Sequence, residues 1–275
     1  MILIPTSILT FLNEHYQLSE KEINFYAQYK FIKLKQVLNE ETILFFSSHI
    51  KRKVEELSIE KKSLEDRDTY GMAFLQIFNL WREDDVIREL VFSKRIAAIA
   101  TALMQTEGVR IYHDQALYKE PGGGYTPWHA DQYYWPLASD KTITAWIPLQ
   151  ETPIEMGPLE FSAGSHVIVE GRELAISDDS ETIISKKLRV TDFKHVVEKF
   201  DLGEVSFHSG WIFHRAGANT TKTMRQVMTV IYMDRDMKLA EPKNENQVND
   251  WNTWCPEAKV GEIIDTSFNP ILYTK

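Results

Sequence analysis

The chain has 275 residues, 43% hydrophobic and 26% charged, with 31 Lys+Arg against 40 Asp+Glu. That length and composition suit a globular protein with a sizeable core. The acidic balance, with no basic block to neutralise phosphates, argues against nucleic acid or an anionic membrane as a partner.

A single cysteine, Cys255, excludes an internal disulfide and fits a reducing, cytoplasmic setting. The start of the chain lacks a positive n-region and a long apolar h-region, so no signal peptide is expected. No stretch reaches the roughly 18 consecutive apolar residues of a membrane helix.

The first hundred residues read as helical. Ser19 and Glu22 make a capping-box pattern. Phe31-Ile32-Lys33-Leu34-Lys35 then alternates like a short strand. Asn39 caps a second helix, in which Ile43, Phe46, Ile50, Val54 and Leu57 keep the three-to-four spacing of a packed stripe. The charged residues Lys51, Arg52, Lys53, Glu55 and Glu56 fall mostly between them and read as its solvated face. Residues 58–70 are polar and expected to be a loop. Ser93 caps a further helix with Ile96, Ile99, Ala100 and Leu103 on one side. His15 and His49 stand alone in this part and read as structural or surface residues.

From Gly108 the texture changes to strands. Val109–His113, Ala116–Tyr118, Thr142–Leu149, Gly157–Phe161, Gly203–Phe207 and Val227–Met233 are rich in β-branched and aromatic residues. Glycines and prolines punctuate them, with Gly122-Gly123-Gly124 as a turn. Many short strands imply a sandwich or jelly roll. Residues 170–200 are charged and irregular and read as an insertion or lid. The tail after Asp236 is polar, then aromatic at Trp251, Trp254 and Tyr273, and is expected to pack across the barrel. The expected organisation is one domain over 1–275, with helical support in 1–107, a β core in 108–236 and a C-terminal tail in 237–275. The sequence sets no oligomeric state.

The chemistry is carried by Trp128-His129-Ala130-Asp131. On a strand, positions i and i+2 share a face, so His129 and Asp131 can close on one metal ion. A third ligand would come from the segment Phe207–Asn219, which holds His208 and His214. Two histidines and one carboxylate with open positions make the facial triad of non-haem iron sites, and the absence of clustered thiols argues against structural zinc. His113 and Asp114 are adjacent, so on a strand they face opposite sides and do not share a metal. His166, in the turn after Gly164-Ser165, reads as packing.

These segments together resemble the phytanoyl-CoA dioxygenase (PhyH) family of Fe(II)- and 2-oxoglutarate-dependent oxygenases. The resemblance rests on Trp128-His129-Ala130-Asp131, Ala145-Trp146, Gly157-Pro158-Leu159-Glu160-Phe161 with Gly164-Ser165-His166, and His214 followed by Arg225. Ser19–Leu57 and Asn269–Tyr273 resemble the family's two ends.

The resemblance implies a double-stranded β-helix with flanking helices. It implies iron on His129, Asp131 and His214 rather than His208, and Arg225 on the distal carboxylate of 2-oxoglutarate. Gln115 would lie beside that cosubstrate and Trp146 would wall it. O₂ would be consumed, succinate and CO₂ released, and a small-molecule metabolite hydroxylated. Because Asp131 is present, halogenation is not expected; desaturation, epimerisation and cyclisation stay open. Tyr133, Trp135 and Tyr118 are the candidate substrate walls, with Tyr133 and Trp135 read as alternating on a strand. A jelly-roll protein that binds metal or ligand without turnover is the alternative.

Overall fold

The computed structural model describes residues 3–58 and 74–275. Two antiparallel sheets face one another. The larger has the order β1 (Phe31–Leu34), β8 (Val205–Ser209), β5 (Thr142–Pro148), β10 (Arg225–Asp234), β3 (Gly108–Lys119) and β11 (Ile271–Thr274), and β2 (Leu75–Phe78) also pairs with β3. The smaller has the order β4 (Thr126–His129), β9 (His214–Ala216), β6 (Leu159–Ser162) and β7 (His195–Val197). This is the expected double-stranded β-helix.

Strand parity divides the large sheet into two chemistries. Ile143, Ala145, Ile147, Val205, Phe207, Met228, Val230 and Tyr232 point outward into one apolar core with the N-terminal helices. From those helices it receives Ile43, Phe46, Ile50 and Val54 of the helix Glu40–Leu57, and Ile96, Ile99, Ala100 and Leu103 of the helix Lys94–Met104. Their neighbours Thr144, Trp146, His208, Arg225 and Thr229 point inward, toward the small sheet. A bulge in β3 opposite Ile231 and Tyr232 changes that strand's parity. Ile111 therefore faces the helices, while His113, Gln115 and Leu117 face the interior.

The predicted caps are present. Ser19 and Glu22 form the full capping box, and the Asn39 and Ser93 side chains accept from the Thr42 and Ile96 amides. The polar stretch 58–70 lies, from residue 59, outside the described residues.

The 170–200 segment departs from expectation. It holds a helix, Asp178–Arg189, started by a Ser177–Ser180 capping box. Acidic Asp178, Asp179 and Glu181 occupy its first turn and Lys186, Lys187 and Arg189 its last, the arrangement that complements the helix dipole. Glu181 accepts from the Trp128 amide at 2.9 Å and from Arg215 at 3.0 Å, which ties this helix to β4 and β9. Among the described residues no helix is long and apolar enough to cross a membrane.

Candidate active site

His129 and His214 are register partners across β4 and β9. Two residues far apart in sequence thus become neighbours, with ring centroids 4.2 Å apart. The strand ends at His129, and Asp131 opens a tight 3-10 turn, Asp131–Tyr134. The two side chains still converge, through this turn rather than through a shared strand face: His129 Nε2 lies 3.4 Å from Asp131 Oδ1. His214 Nε2 lies 3.5 Å from the same oxygen. The three donor atoms fall within 4.8 Å of one another, making the one such cluster found among the described residues.

The neighbours of these rings suit a cation. His129 Nδ1 donates to the Pro127 carbonyl at 2.7 Å and His214 Nδ1 to the Ile212 carbonyl at 3.1 Å. That leaves both Nε2 atoms aimed at the Asp131 carboxylate. Burial, helped by the His129 ring, holds the His214 imidazole well below its usual range, so it stays neutral. Burial pushes the Asp131 carboxyl up, but His214, His129 and His208 outweigh it and keep the group well below the usual carboxylate range. Two imidazoles and one carboxylate are the donor set a borderline divalent metal takes.

His208 is also buried, on β8 opposite Thr144, with Nε2 3.4 Å from Asp131 Oδ2. It borders the cluster without belonging to it.

The cluster opens into a cavity of about 300 Å³. Arg225, Trp146 and Gln115 all line it. Arg225 sits at the base of β10, fully buried, its guanidinium carbon 5.4 Å from the Trp146 ring centroid. Its Nη1 donates to the Gly157 carbonyl, and its Nε has no partner. Burial lowers its pKa to about 9. A buried guanidinium with an unmet donor has the charge and the free N–H that suit a carboxylate. Gln115 accepts a hydrogen bond from the Gln76 side chain, which orients it.

Three expectations about the substrate walls need different outcomes. Trp135 lines the cavity. Tyr133 does not: the segment is a turn, so alternation fails, and Tyr134 takes the inward place. The Tyr133 carbonyl and hydroxyl are instead bound by Gln247 and Asn246. Tyr118 faces outward with Ala116, into the helical core, because the inward positions of β3 are odd-numbered there. His113 lines the cavity while Asp114 turns away and accepts from the Leu80 and Trp81 amides, as adjacency on a strand requires.

Several cavity residues were not anticipated, among them Gln76, Phe78, His113, Asp250 and Trp254. Asp250 and Trp254 stand four apart on the helix Glu245–Trp254, a spacing that puts both on one face. His113 shares β3 parity with Gln115.

Fold and cluster together define a jelly roll built around a His-Asp-His site. A model of the family described as phytanoyl-CoA dioxygenase (PhyH) matches residues 13–227, and the chain belongs to that family. A curated relative from Stutzerimonas stutzeri, described as a probable alpha-ketoglutarate-dependent hypophosphite dioxygenase, is 24% identical over 158 residues. The match covers 55% of this chain and 54% of that protein, so the chain spans about half the length of that relative.

Among solved structures, the non-heme alpha ketoglutarate dependent carbocyclase SnoK from nogalamycin biosynthesis superposes with a TM-score of 0.75 at 23% identity, covering 92% of this chain and 96% of SnoK. EctD from S. alaskensis, solved with 2-oxoglutarate and 5-hydroxyectoine, gives 0.66 at 17% identity, covering 84% and 82%. These likenesses extend the shared fold over most of the chain.

Proposed function

We propose that the chain is a non-haem Fe(II)- and 2-oxoglutarate-dependent dioxygenase that hydroxylates a small-molecule metabolite. The observation that carries this reading is one cavity holding both the His129–Asp131–His214 donors and the buried Arg225 guanidinium. A metal site alone would need no buried arginine, and a carboxylate receptor alone would need no histidine pair.

In this reading His129 Nε2, Asp131 and His214 Nε2 hold Fe(II), with both rings aimed by the Pro127 and Ile212 carbonyls. Iron and 2-oxoglutarate, when bound, supply O₂ activation with loss of CO₂ and formation of succinate. Arg225 binds the distal carboxylate of 2-oxoglutarate, Trp146 walls it, and Gln115 lies alongside. The apolar walls keep water from the reacting atoms.

Relatives with this fold include enzymes described as a carbocyclase and an epimerase. Ring closure, epimerisation and desaturation all begin, like hydroxylation, with removal of a substrate hydrogen, so product analysis separates them.

A succinate-release screen of metabolites tests the reading, with Asp131→Ala as the blank. The expected result is succinate that requires both Fe(II) and 2-oxoglutarate. Failure of the purified chain to bind either one would overturn it.

A further inference from the structure

One wall of the cavity is built by the C-terminal helix Glu245–Trp254, beyond the residues matched by the family model. Asp250 and Trp254 face the cavity from this helix. The Tyr112 hydroxyl donates to Asp250 Oδ2 at 3.3 Å. Burial pushes the Asp250 carboxyl up to about 7, opposed by hydrogen bonds from Trp254 and Tyr112. Among the described residues no lysine or arginine pairs with it.

Aromatic rings line the cavity together with this carboxyl group. The Trp254 ring stacks on His113 at 4.5 Å and 25°, and lies 4.8 Å from Phe78. His113 is buried and its Nδ1 has no hydrogen-bond partner. Positive charge is committed elsewhere. Arg225 belongs to the cosubstrate end, and Arg215 is neutralised by Glu160 at 2.7 Å and Glu181 at 3.0 Å. An anionic substrate would meet a carboxyl group here that no basic side chain pairs with. A cation would gain charge pairing and contact with the aromatic rings of the same cavity.

We propose that Asp250, Trp254, Phe78 and His113 form the substrate-recognition subsite, and that it selects a small molecule carrying a protonated nitrogen, an ammonium or amidinium group. The proposal rests on the dioxygenase reading and names its substrate class.

The test uses the full chain loaded with redox-inert Zn²⁺ and 2-oxoglutarate. Calorimetry then compares three probes of one shape: phenethylammonium, 2-phenylethanol and phenylacetate. The cation should bind at least about tenfold more tightly than the alcohol, the size of one charge-assisted hydrogen bond, and phenylacetate should bind most weakly. Asp250→Asn, which keeps an acceptor for Tyr112, should erase the preference and leave Zn²⁺ and 2-oxoglutarate binding unchanged.

Equal or tighter binding of the alcohol or phenylacetate, or no binding of phenethylammonium at millimolar concentration, overturns the proposal. So does a preference that survives in Asp250→Asn. The wild-type comparison stands even if that variant does not fold. Loss of Zn²⁺ and 2-oxoglutarate binding in the wild type would sink the dioxygenase reading instead, and calorimetry reads the two failures separately.

Discussion

His208 Nε2 lies 3.4 Å from Asp131 Oδ2, on the opposite oxygen from the one that His129 and His214 face. Three imidazoles thus surround one carboxylate. Of the three, only His129 and His214 have Nδ1 tied to a backbone carbonyl; His208 Nδ1 has no hydrogen-bond partner. Pinned rings are prepared ligands, whereas an unpinned ring pays to be oriented.

The two candidates should therefore behave differently. His214→Ala should weaken divalent-metal binding by more than about 100-fold, and His208→Ala by no more than about tenfold, the lower end for an outer partner of a ligand. Metal stoichiometry after dialysis, with calorimetry, reads both. The reverse order would make His208 the third ligand.

Arg225 gives a second contrast. Its charge is buried without a carboxylate, so the free protein bears a desolvation cost that 2-oxoglutarate, in the proposed role, would remove. Added 2-oxoglutarate should raise the melting temperature of the metal-loaded wild type. In Arg225→Gln that rise should vanish and 2-oxoglutarate affinity should fall by roughly 30- to 1,000-fold, equivalent to about 2–4 kcal/mol for a desolvated charge pair. The variant without cosubstrate should be no less stable than the wild type. Arg225→Lys should restore little, since an ammonium does not reproduce the planar fork.

How much of this was written in the sequence depends on the range of each signal. Local signals were legible: the caps at Ser19, Asn39 and Ser93, and the Ile43–Val54 stripe, act within a helical turn. The pairing of His129 with His214, and Arg225 beyond them, was legible through the family resemblance and not from periodicity. Tyr133 and Tyr118 lie away from the cavity because a 3-10 turn and a strand's parity are set by tertiary pairing. The helix Asp178–Arg189 was missed because its weak apolar content hid behind charge, although Ser177 and its acidic first turn mark its start. Asp250 and Trp254 reach the cavity by a chain crossing that no local pattern specifies.

Gly157 links turn geometry to Arg225. Its φ is +69°, in the left-handed region, and a Cβ there would collide with the Gly217 carbonyl. Its own carbonyl accepts from Arg225 Nη1. Gly157→Ala should destabilise the protein by about 2–4 kcal/mol, combining backbone strain with a clash that has no flexible side chain to yield. The KM for 2-oxoglutarate should rise as the arginine shifts. Urea denaturation and steady-state kinetics check the two effects; a variant as stable as the wild type would rule out the tight turn described here.

Asp114 supplies a prediction about pH. Burial raises its pKa to about 7, opposed by hydrogen bonds from the Trp81 and Leu80 amides. An unfolded aspartate titrates near about 3.9, so between roughly pH 4 and 7 the folded state holds a proton that the unfolded state has released. Asp114 therefore costs stability progressively as pH rises through that window, and the cost is constant above it. His113, lowered by burial to about 4, works in the opposite direction between about 4 and 6.5, so the wild-type curve alone does not isolate Asp114. The comparison with Asp114→Asn does. The amide keeps one acceptor for two backbone donors, so at the acid end the variant should be less stable by about 1–2 kcal/mol. That gap should shrink, or reverse, as pH approaches 7, because only the wild type bears the growing charge penalty. Urea unfolding of both proteins at several pH values gives the difference directly. A gap that widened with rising pH would mean that Asp114 is stabilised as a carboxylate and that its two amide bonds outweigh its burial.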